Sequence, residues 1–129
     1  MKKSERERVR AMFDGRCAYC GAELSDLWHA DHIEPVMRES RYERGKGFVP
    51  TGEMERPDMD CLENLMPACP PCNIDKHCMA LDEWRAKLER APEVLARNNA
   101  TYRHAVRFGL VEERPQKVRF YFEAMREDV

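Results

Sequence analysis

Four cysteines in two closely spaced pairs constrain this chain more than any other feature of its sequence. The pairs are Cys17-Ala-Tyr-Cys20 and Cys69-Pro-Pro-Cys72, and 48 residues separate them. A spacer of two residues lets both thiolates of a pair reach one tetrahedral Zn²⁺ ion, so the two pairs together predict a structural zinc site with four cysteine ligands. A redox dithiol and ordinary buried thiols are the alternative interpretations of these cysteines.

Composition predicts one small domain without a membrane span. The chain has 129 residues, a formal net charge of −2 and 36% charged residues, whereas a typical domain has about 25% charged residues. No apolar run approaches the ~20 residues that a membrane span needs. The segment Met1–Arg6 is charged, so we expect no secretory signal and a reducing cytosol, in which disulfides are rare.

Apolar spacing and capping residues predict three helices. The sequence Ser4-Glu-Arg-Glu is a capping box, which predicts that the first helix begins at Ser4 and ends before Gly15. Apolar residues at helical spacing predict a second helix over Leu81–Leu88. A third helix is predicted over Glu93–Phe108, because Pro92 suits the first turn of a helix and Gly109 suits its end.

Strand formers predict short extended segments between and after these helices. Leu27–Ile33 and Leu62–Met66 are the first two, and Val118–Phe122 is predicted as a C-terminal strand. Residues 38–60 contain five glycines and prolines, which predict a loop with one helical turn near Arg41–Arg44. The elements together predict an α+β fold.

Polar residues with catalytic chemistry lie beside the cysteine pairs. Asp31 and His32 are adjacent at the end of a predicted strand, and Asn64 lies shortly before the second pair. Asn73 follows the second pair directly, and in a helix that begins near Asn73 the side chain of His77 would share its face. We expect these side chains to converge around the zinc site.

In this order the motifs resemble those of the HNH endonuclease family, the His-Me finger nucleases that have a ββα-metal core and, in phage and bacterial members, a four-cysteine structural zinc. The matching residues are Cys17 and Cys20, Asp31-His-Ile-Glu-Pro35, Glu63-Asn-Leu-Met-Pro-Ala-Cys69, Cys72-Asn73 and Lys76. The resemblance covers about residues 17–85 of a single nuclease domain that would span residues 1–129. Residues 86–129 would then form a helical extension and a strand.

The resemblance implies an enzyme that hydrolyses phosphodiester bonds of DNA. His32 would be the general base, and an imidazole pKa near 6.5 suits that role. Asp31 and Asn73 would hold one divalent cation, Mg²⁺ or Mn²⁺, through oxygen atoms. Asn64 would fix the loop and orient the base, and His77 is the second choice after Asn73 as a ligand of the catalytic cation.

The roles of the other residues around this motif are less well defined by the sequence. Lys76 is a candidate contact to phosphate. His29 lies two residues before Asp31 on the same strand face and could approach the site, but it is expected to face solvent or to pack. Residues 38–60 are either a substrate-recognition loop or an insertion without a function in the site. The basic residues that could contact phosphate are Arg6, Arg8, Arg10, Arg38, Arg41, Arg44 and Lys46.

Two other functions are also compatible with the cysteine pairs. A non-catalytic zinc module that binds nucleic acid would need the four cysteines but not Asp31, His32 or Asn73. A thiol-redox protein would use Cys69 and Cys72, but the βαβ context of such motifs is missing. The family resemblance implies DNA as the partner, with phage packaging proteins as a further candidate, and a cytoplasmic location in a bacterial or phage-infected cell.

Overall fold

The computed structural model describes residues 1–127, and these residues form an α+β structure of short elements. No helix in this part of the chain is long and apolar enough to cross a membrane. The helices are α1 (Lys3–Ala11), α2 (Pro70–Lys76), α3 (Leu81–Glu89), α4 (Ala91–Asn98), α5 (Ala100–Arg107) and α6 (Tyr121–Glu127). The strands are β1 (His29–His32), β2 (Arg38–Glu43), β3 (Gly47–Met54) and β4 (Leu65–Ala68), and 3₁₀ turns lie at Pro57–Met59 and Leu62–Asn64.

The chain divides into two compact units. One contains Met1–Leu81 and the described residues from Phe120 onward, and the other is Asp82–Arg119. The first unit contains both cysteine pairs and both small sheets. The second unit is helical, and the helix predicted over Leu81–Leu88 is confirmed as α3.

A two-stranded sheet and the helix after it place the candidate site. Strand β1 pairs with β4 in antiparallel register, so that Asp31 is opposite Met66 and His32 is opposite Leu65. Helix α2 follows β4 after one intervening residue. It begins at Pro70 rather than near Asn73, because a proline at the first helical position needs no hydrogen-bond partner for its nitrogen.

Most of the predicted loop over residues 38–60 is an antiparallel hairpin, which spans residues 38–54. Strands β2 and β3 pair with Tyr42 opposite Phe48 and Arg41 opposite Val49. The turn between them contains Gly45, whose φ of +85° is accessible mainly to glycine. The predicted helical turn near Arg41–Arg44 is therefore wrong, because the aromatic and β-branched residues on both sides of this turn pair across the ribbon.

The predicted C-terminal strand at Val118–Phe122 is also wrong, because helix α6 begins within it. The rings of Phe120 and Phe122 are buried and lie edge-on to Tyr19, at centroid distances of 5.6 and 6.3 Å. The backbone N–H of Phe120 donates to Oε1 of Glu123 over 2.9 Å. This contact reproduces half of a capping box, so aromatic residues that favour strands here begin a helix.

Two other helix predictions fail at their capping residues. The helix predicted over Glu93–Phe108 is two helices, because Asn99 adopts extended backbone angles and its side chain accepts a hydrogen bond from the N–H of Tyr102. Asparagine at an N-cap favours such a restart. Helix α1 begins at Lys3 without a side-chain cap, so the capping box predicted at Ser4 does not form.

The core of the first unit lies between α1, the β1–β4 sheet and the C-terminal aromatic residues. Val9 is the buried residue of α1, and Met66 of β4 is likewise almost fully buried. Arg6 places its guanidinium 4.1 Å from the ring centroid of Trp28 and donates to the Trp28 carbonyl over 2.8 Å. These contacts attach α1 to the segment that enters β1.

Candidate metal centre and active site

The four paired cysteines form one cluster, as the sequence predicts. The Sγ atoms of Cys17, Cys20, Cys69 and Cys72 all lie within 4.8 Å of one another, and those of Cys20 and Cys69 are 3.7 Å apart. In a tetrahedral zinc site with Zn–S bonds of ~2.3 Å, sulfurs lie about 3.8 Å apart. The cluster is therefore the right size for a zinc ion.

Electrostatics within the cluster also favour a bound cation. A hydrogen bond with Cys72 lowers the pKa of the Cys17 thiol to about 4. The same hydrogen bond is the main cause that raises the pKa of the Cys72 thiol, and burial is the second cause. Burial also raises the pKa of the Cys69 thiol. Neighbouring thiolates repel one another, so a dication is what would allow all four to ionise together. Of the other two cysteines, Cys61 is half-buried and Cys78 is exposed.

Asp31 lies in a buried hydrogen-bonded network beside the cluster. Its Oδ2 accepts a 2.6 Å hydrogen bond from the Tyr19 hydroxyl and lies 3.2 Å from Nζ of Lys76. Burial and the neighbouring Asp31 carboxylate raise the pKa of Tyr19, so its hydroxyl stays protonated and donates. Both contacts are made to Oδ2, so neither of them involves Oδ1.

Lys76 does not lie where a phosphate contact would need it. Its side chain is 0% exposed, and its Nζ donates to the carbonyl oxygen of His32 over 2.9 Å as well as pairing with Asp31. Because this ammonium group is enclosed by protein, the expected contact between Lys76 and phosphate is wrong. Its position instead links helix α2 to the end of β1.

We expect Lys76→Met to lower the free energy of unfolding by about 3–5 kcal/mol, the usual effect of removing one partner of a buried ion pair. The substitution leaves the buried Asp31 carboxylate with Tyr19 as its hydrogen-bond donor. Urea denaturation of the zinc-loaded protein measures the change. The matched control is Lys46→Met on a side chain that is 74% exposed, expected within about 0.5 kcal/mol of the parent. Equal stability of the two variants would contradict the prediction.

His32 pairs with a residue that sequence reasoning missed. Its Nε2 lies 2.8 Å from Oδ1 of Asp60, and this contact holds the pKa of Asp60 below its usual range. A carboxylate only accepts hydrogen bonds, so Nε2 carries the proton and, in the neutral ring, Nδ1 has the free lone pair. No local pattern in the sequence indicates Asp60, because it lies 28 positions after His32.

Asn73 and His29 form a second pair of this kind. The Nδ2 amide of Asn73 lies 2.6 Å from Nδ1 of His29. Because an amide nitrogen only donates, Nδ1 of His29 accepts, and Oδ1 of Asn73 is left for another partner. His29 thus contacts a site residue, rather than only facing solvent or packing. The available signal was its spacing, since His29 and Asp31 lie two apart on one strand.

Asn64 bridges two segments behind these residues. Its Nδ2 donates to the carbonyls of Glu34 and Met59 over 2.9 and 2.8 Å, and its Oδ1 accepts from the N–H of Glu34 over 3.0 Å. Asn64 is 5% exposed. These three bonds tie the chain after β1 to the chain before β4.

One cavity brings four of the candidate residues together. Asp31, His32, Asn73 and His77 line a cavity of about 320 Å³. Nδ1 of His77 accepts a hydrogen bond from the N–H of Cys78, which leaves Nε2 free of that contact. Asn64 lies outside the cavity lining. The cavity offers a carboxylate, an amide and imidazole rings, and this set of groups can hold a hard divalent cation and accept a proton.

Comparison with known proteins finds a distant similarity to a protein that is named as a nuclease. An alignment of 81 positions, which covers 60% of this chain, shows 26% identity to YoqL of Bacillus subtilis (strain 168), whose name describes it as an "SPbeta prophage-derived putative HNH endonuclease". The match covers 30% of the length of that protein. No family model and no solved structure matches the chain. The chain is thus distantly similar to a protein named as a nuclease.

Proposed function

We propose that this chain is a metal-dependent endonuclease of the HNH type that hydrolyses phosphodiester bonds of DNA. The principal observation is the cavity in which Asp31, His32 and Asn73 meet, directly beside a four-sulfur cluster. Its ββα-metal core would consist of strands β1 and β4 and helix α2, and a structural zinc would stabilise this core. The distant similarity to YoqL supports this proposal.

In this proposal Asp31 and Asn73 hold one Mg²⁺ or Mn²⁺ ion. Each side chain has one oxygen, Oδ1, that the hydrogen bonds described above leave available, and His77 lines the same cavity as a further candidate ligand. Oxygen ligands suit both ions, which also retain positions for water and phosphate. When bound, the cation would stabilise negative charge on the phosphate and on the leaving 3′ oxygen.

His32 acts as the general base. Asp60 accepts the Nε2 proton and so holds the ring in the tautomer whose Nδ1 can take a proton. Nδ1 removes a proton from water as the water oxygen attacks phosphorus, and the bond to the 3′ oxygen breaks. The products are a 3′-hydroxyl and a 5′-phosphate. Asn64 contributes by fixing the segment that follows β1.

Cleavage of supercoiled plasmid tests the proposal directly. We expect zinc-loaded protein to convert the plasmid to nicked or linear DNA when Mg²⁺ or Mn²⁺ is added, and to leave it intact without either ion. Asn73→Ala should raise the Mg²⁺ concentration needed for the half-maximal rate, because one oxygen ligand is lost. Ile74→Ala, at a neighbouring side chain that is 68% exposed, is the matched control and should not change that concentration.

The outcome of this assay distinguishes the proposal from its alternative. Cleavage that does not depend on added Mg²⁺ or Mn²⁺ would contradict the roles given to Asp31 and Asn73. Absence of cleavage under all of these conditions, with DNA binding retained, would favour a non-catalytic zinc module that binds nucleic acid.

A further inference from the structure

The β2–β3 hairpin is attached directly to the candidate site. It begins shortly after His32, and its first residue, Arg38, lines both the 320 Å³ cavity and a second cavity that contains His32 and Asp60. Backbone hydrogen bonds hold the base of the ribbon, with the N–H of Glu55 donating to the carbonyl of Met37 over 3.1 Å. The position of the hairpin is therefore linked to the position of His32.

The two faces of this hairpin differ in chemistry. Tyr42 is opposite Phe48 and Ser40 is opposite Pro50, so these four side chains share one face. The acidic Glu43 belongs to the other face of β2, where it pairs with Arg41 over 2.9 Å. Between residues 40 and 50 the face with the aromatic rings contains no carboxylate, so it is the face that would not repel a polyanion.

The aromatic pair contributes little to a folded core. The rings of Tyr42 and Phe48 lie edge-to-face with centroids 5.6 Å apart, yet the two residues are 68% and 76% exposed. Such rings offer exposed apolar surface that can contact the methyl groups of thymine in the major groove of a duplex. In the adjoining turn, exposed Arg44 forms no hydrogen bond or ion pair with any other residue in the described part of the chain, which leaves its charge available to a phosphate.

The dimensions of the hairpin fit duplex DNA. A six-residue strand at about 3.3 Å per residue extends about 20 Å from the site, which corresponds to about six base pairs at 3.4 Å each. The major groove, about 12 Å wide, admits a two-stranded ribbon. The hairpin is therefore long enough to follow one groove away from a phosphate held at His32.

We propose that the β2–β3 hairpin is the arm that binds duplex DNA beside the cleaved phosphate, through the exposed rings of Tyr42 and Phe48 and the charge of Arg44. This inference rests on the proposed nuclease function and adds to it the element that recognises the substrate. The arm binds DNA without taking part in the chemical step, so its removal affects large and small phosphodiesters differently.

The test compares two substrates with the double variant Tyr42→Ala/Phe48→Ala. For a 30-base-pair duplex, we expect KM to rise about tenfold or more, the size expected from removing the apolar surface of two aromatic rings from the contact with DNA. For bis(p-nitrophenyl) phosphate, which is too small to reach the arm, we expect kcat/KM to stay at the parental value. The matched control is Val49→Ala on the opposite face, where Val49 is paired with Arg41, and it should leave both values unchanged.

Direct binding separates failure of this inference from failure of the nuclease proposal. Fluorescence anisotropy with the same duplex, without added Mg²⁺, should show Kd raised about tenfold or more in the aromatic double variant and unchanged in the control. That result would support the arm even if the parent cleaved neither substrate. An unchanged Kd and KM for the duplex would overturn the inference, and so would an equal loss of activity on both substrates. Circular dichroism checks that all variants fold.

Discussion

We expect His32→Ala to slow plasmid cleavage by about 10²–10⁴-fold, the contribution that a general base usually makes. The substitution removes the nitrogen that takes the proton from the attacking water. It leaves the three cavity side chains Asp31, Asn73 and His77 and the cysteine cluster in place. The initial rate of loss of supercoiled plasmid, measured at saturating Mg²⁺, gives the effect.

Two further variants make this result specific. The exposed His104 lies in the other compact unit, so His104→Ala should cleave at the parental rate. Asp60→Asn keeps the imidazole of His32 but replaces the carboxylate that orients it. We expect the cleavage rate to fall by about 10–100-fold, the usual effect of replacing a residue that orients a functional group through a hydrogen bond. Cleavage by His32→Ala at the parental rate would contradict the assignment of the base.

The second large effect concerns folding. We expect Cys17→Ser to abolish cooperative thermal unfolding and the bound zinc together. A structural zinc site contributes ~10–16 kcal/mol of apparent binding free energy, whereas the net stability of a whole domain is about 5–15 kcal/mol. Cys17 is fully buried and is one of the four clustered thiols. Loss of this ligand therefore removes as much free energy as the fold has available.

Cys78→Ser is the matched control for this experiment, because Cys78 is exposed and lies outside the cluster. The parent and Cys78→Ser should both bind one zinc per chain, as measured by plasma mass spectrometry, and both should melt cooperatively. A cooperative melt of Cys17→Ser at the parental temperature would show that the fold does not depend on the four-cysteine site.

The cysteine cluster and the cavity are connected by residues that are adjacent to the cysteines in the sequence. Tyr19, which donates to Asp31, lies between the two cysteines of the first pair, and Asn73 directly follows the last cysteine. The candidate cation ligands Asp31 and Asn73 are thus held in place by residues of the cluster. Because of this link, loss of zinc should disturb the candidate site together with the fold.

The four-cysteine cluster was predictable because it depends on local spacing. Two Cys-x-x-Cys pairs limit the geometry of each half of the cluster, and the four sulfurs do meet. Asp31 and His32 also lie on a strand, and Asn73 lies on a helix, as the spacing predicts. The catalytic roles of these residues remain predictions that the experiments above test.

Elements whose conformation depends on distant contacts were not predictable from local patterns. The strand formers at Phe120 and Phe122 enter a helix because their rings are buried against Tyr19, about 100 residues earlier in the chain. The glycines and prolines in the segment after His32 mark turns and therefore predict a loop. Only cross-strand pairing, such as Tyr42 with Phe48, makes it a hairpin.

The sequence by itself determined the metal-ligand chemistry and the α+β class, since spacing and periodicity are properties of neighbouring residues. Only the tertiary structure decided which groups surround the candidate base and the cation ligands. Asp60 reaches His32, His29 reaches Asn73 and Lys76 is enclosed beside Asp31, across separations of 28 to 45 residues. Such contacts depend on how the chain packs, because burial of polar groups requires partners wherever in the sequence they occur.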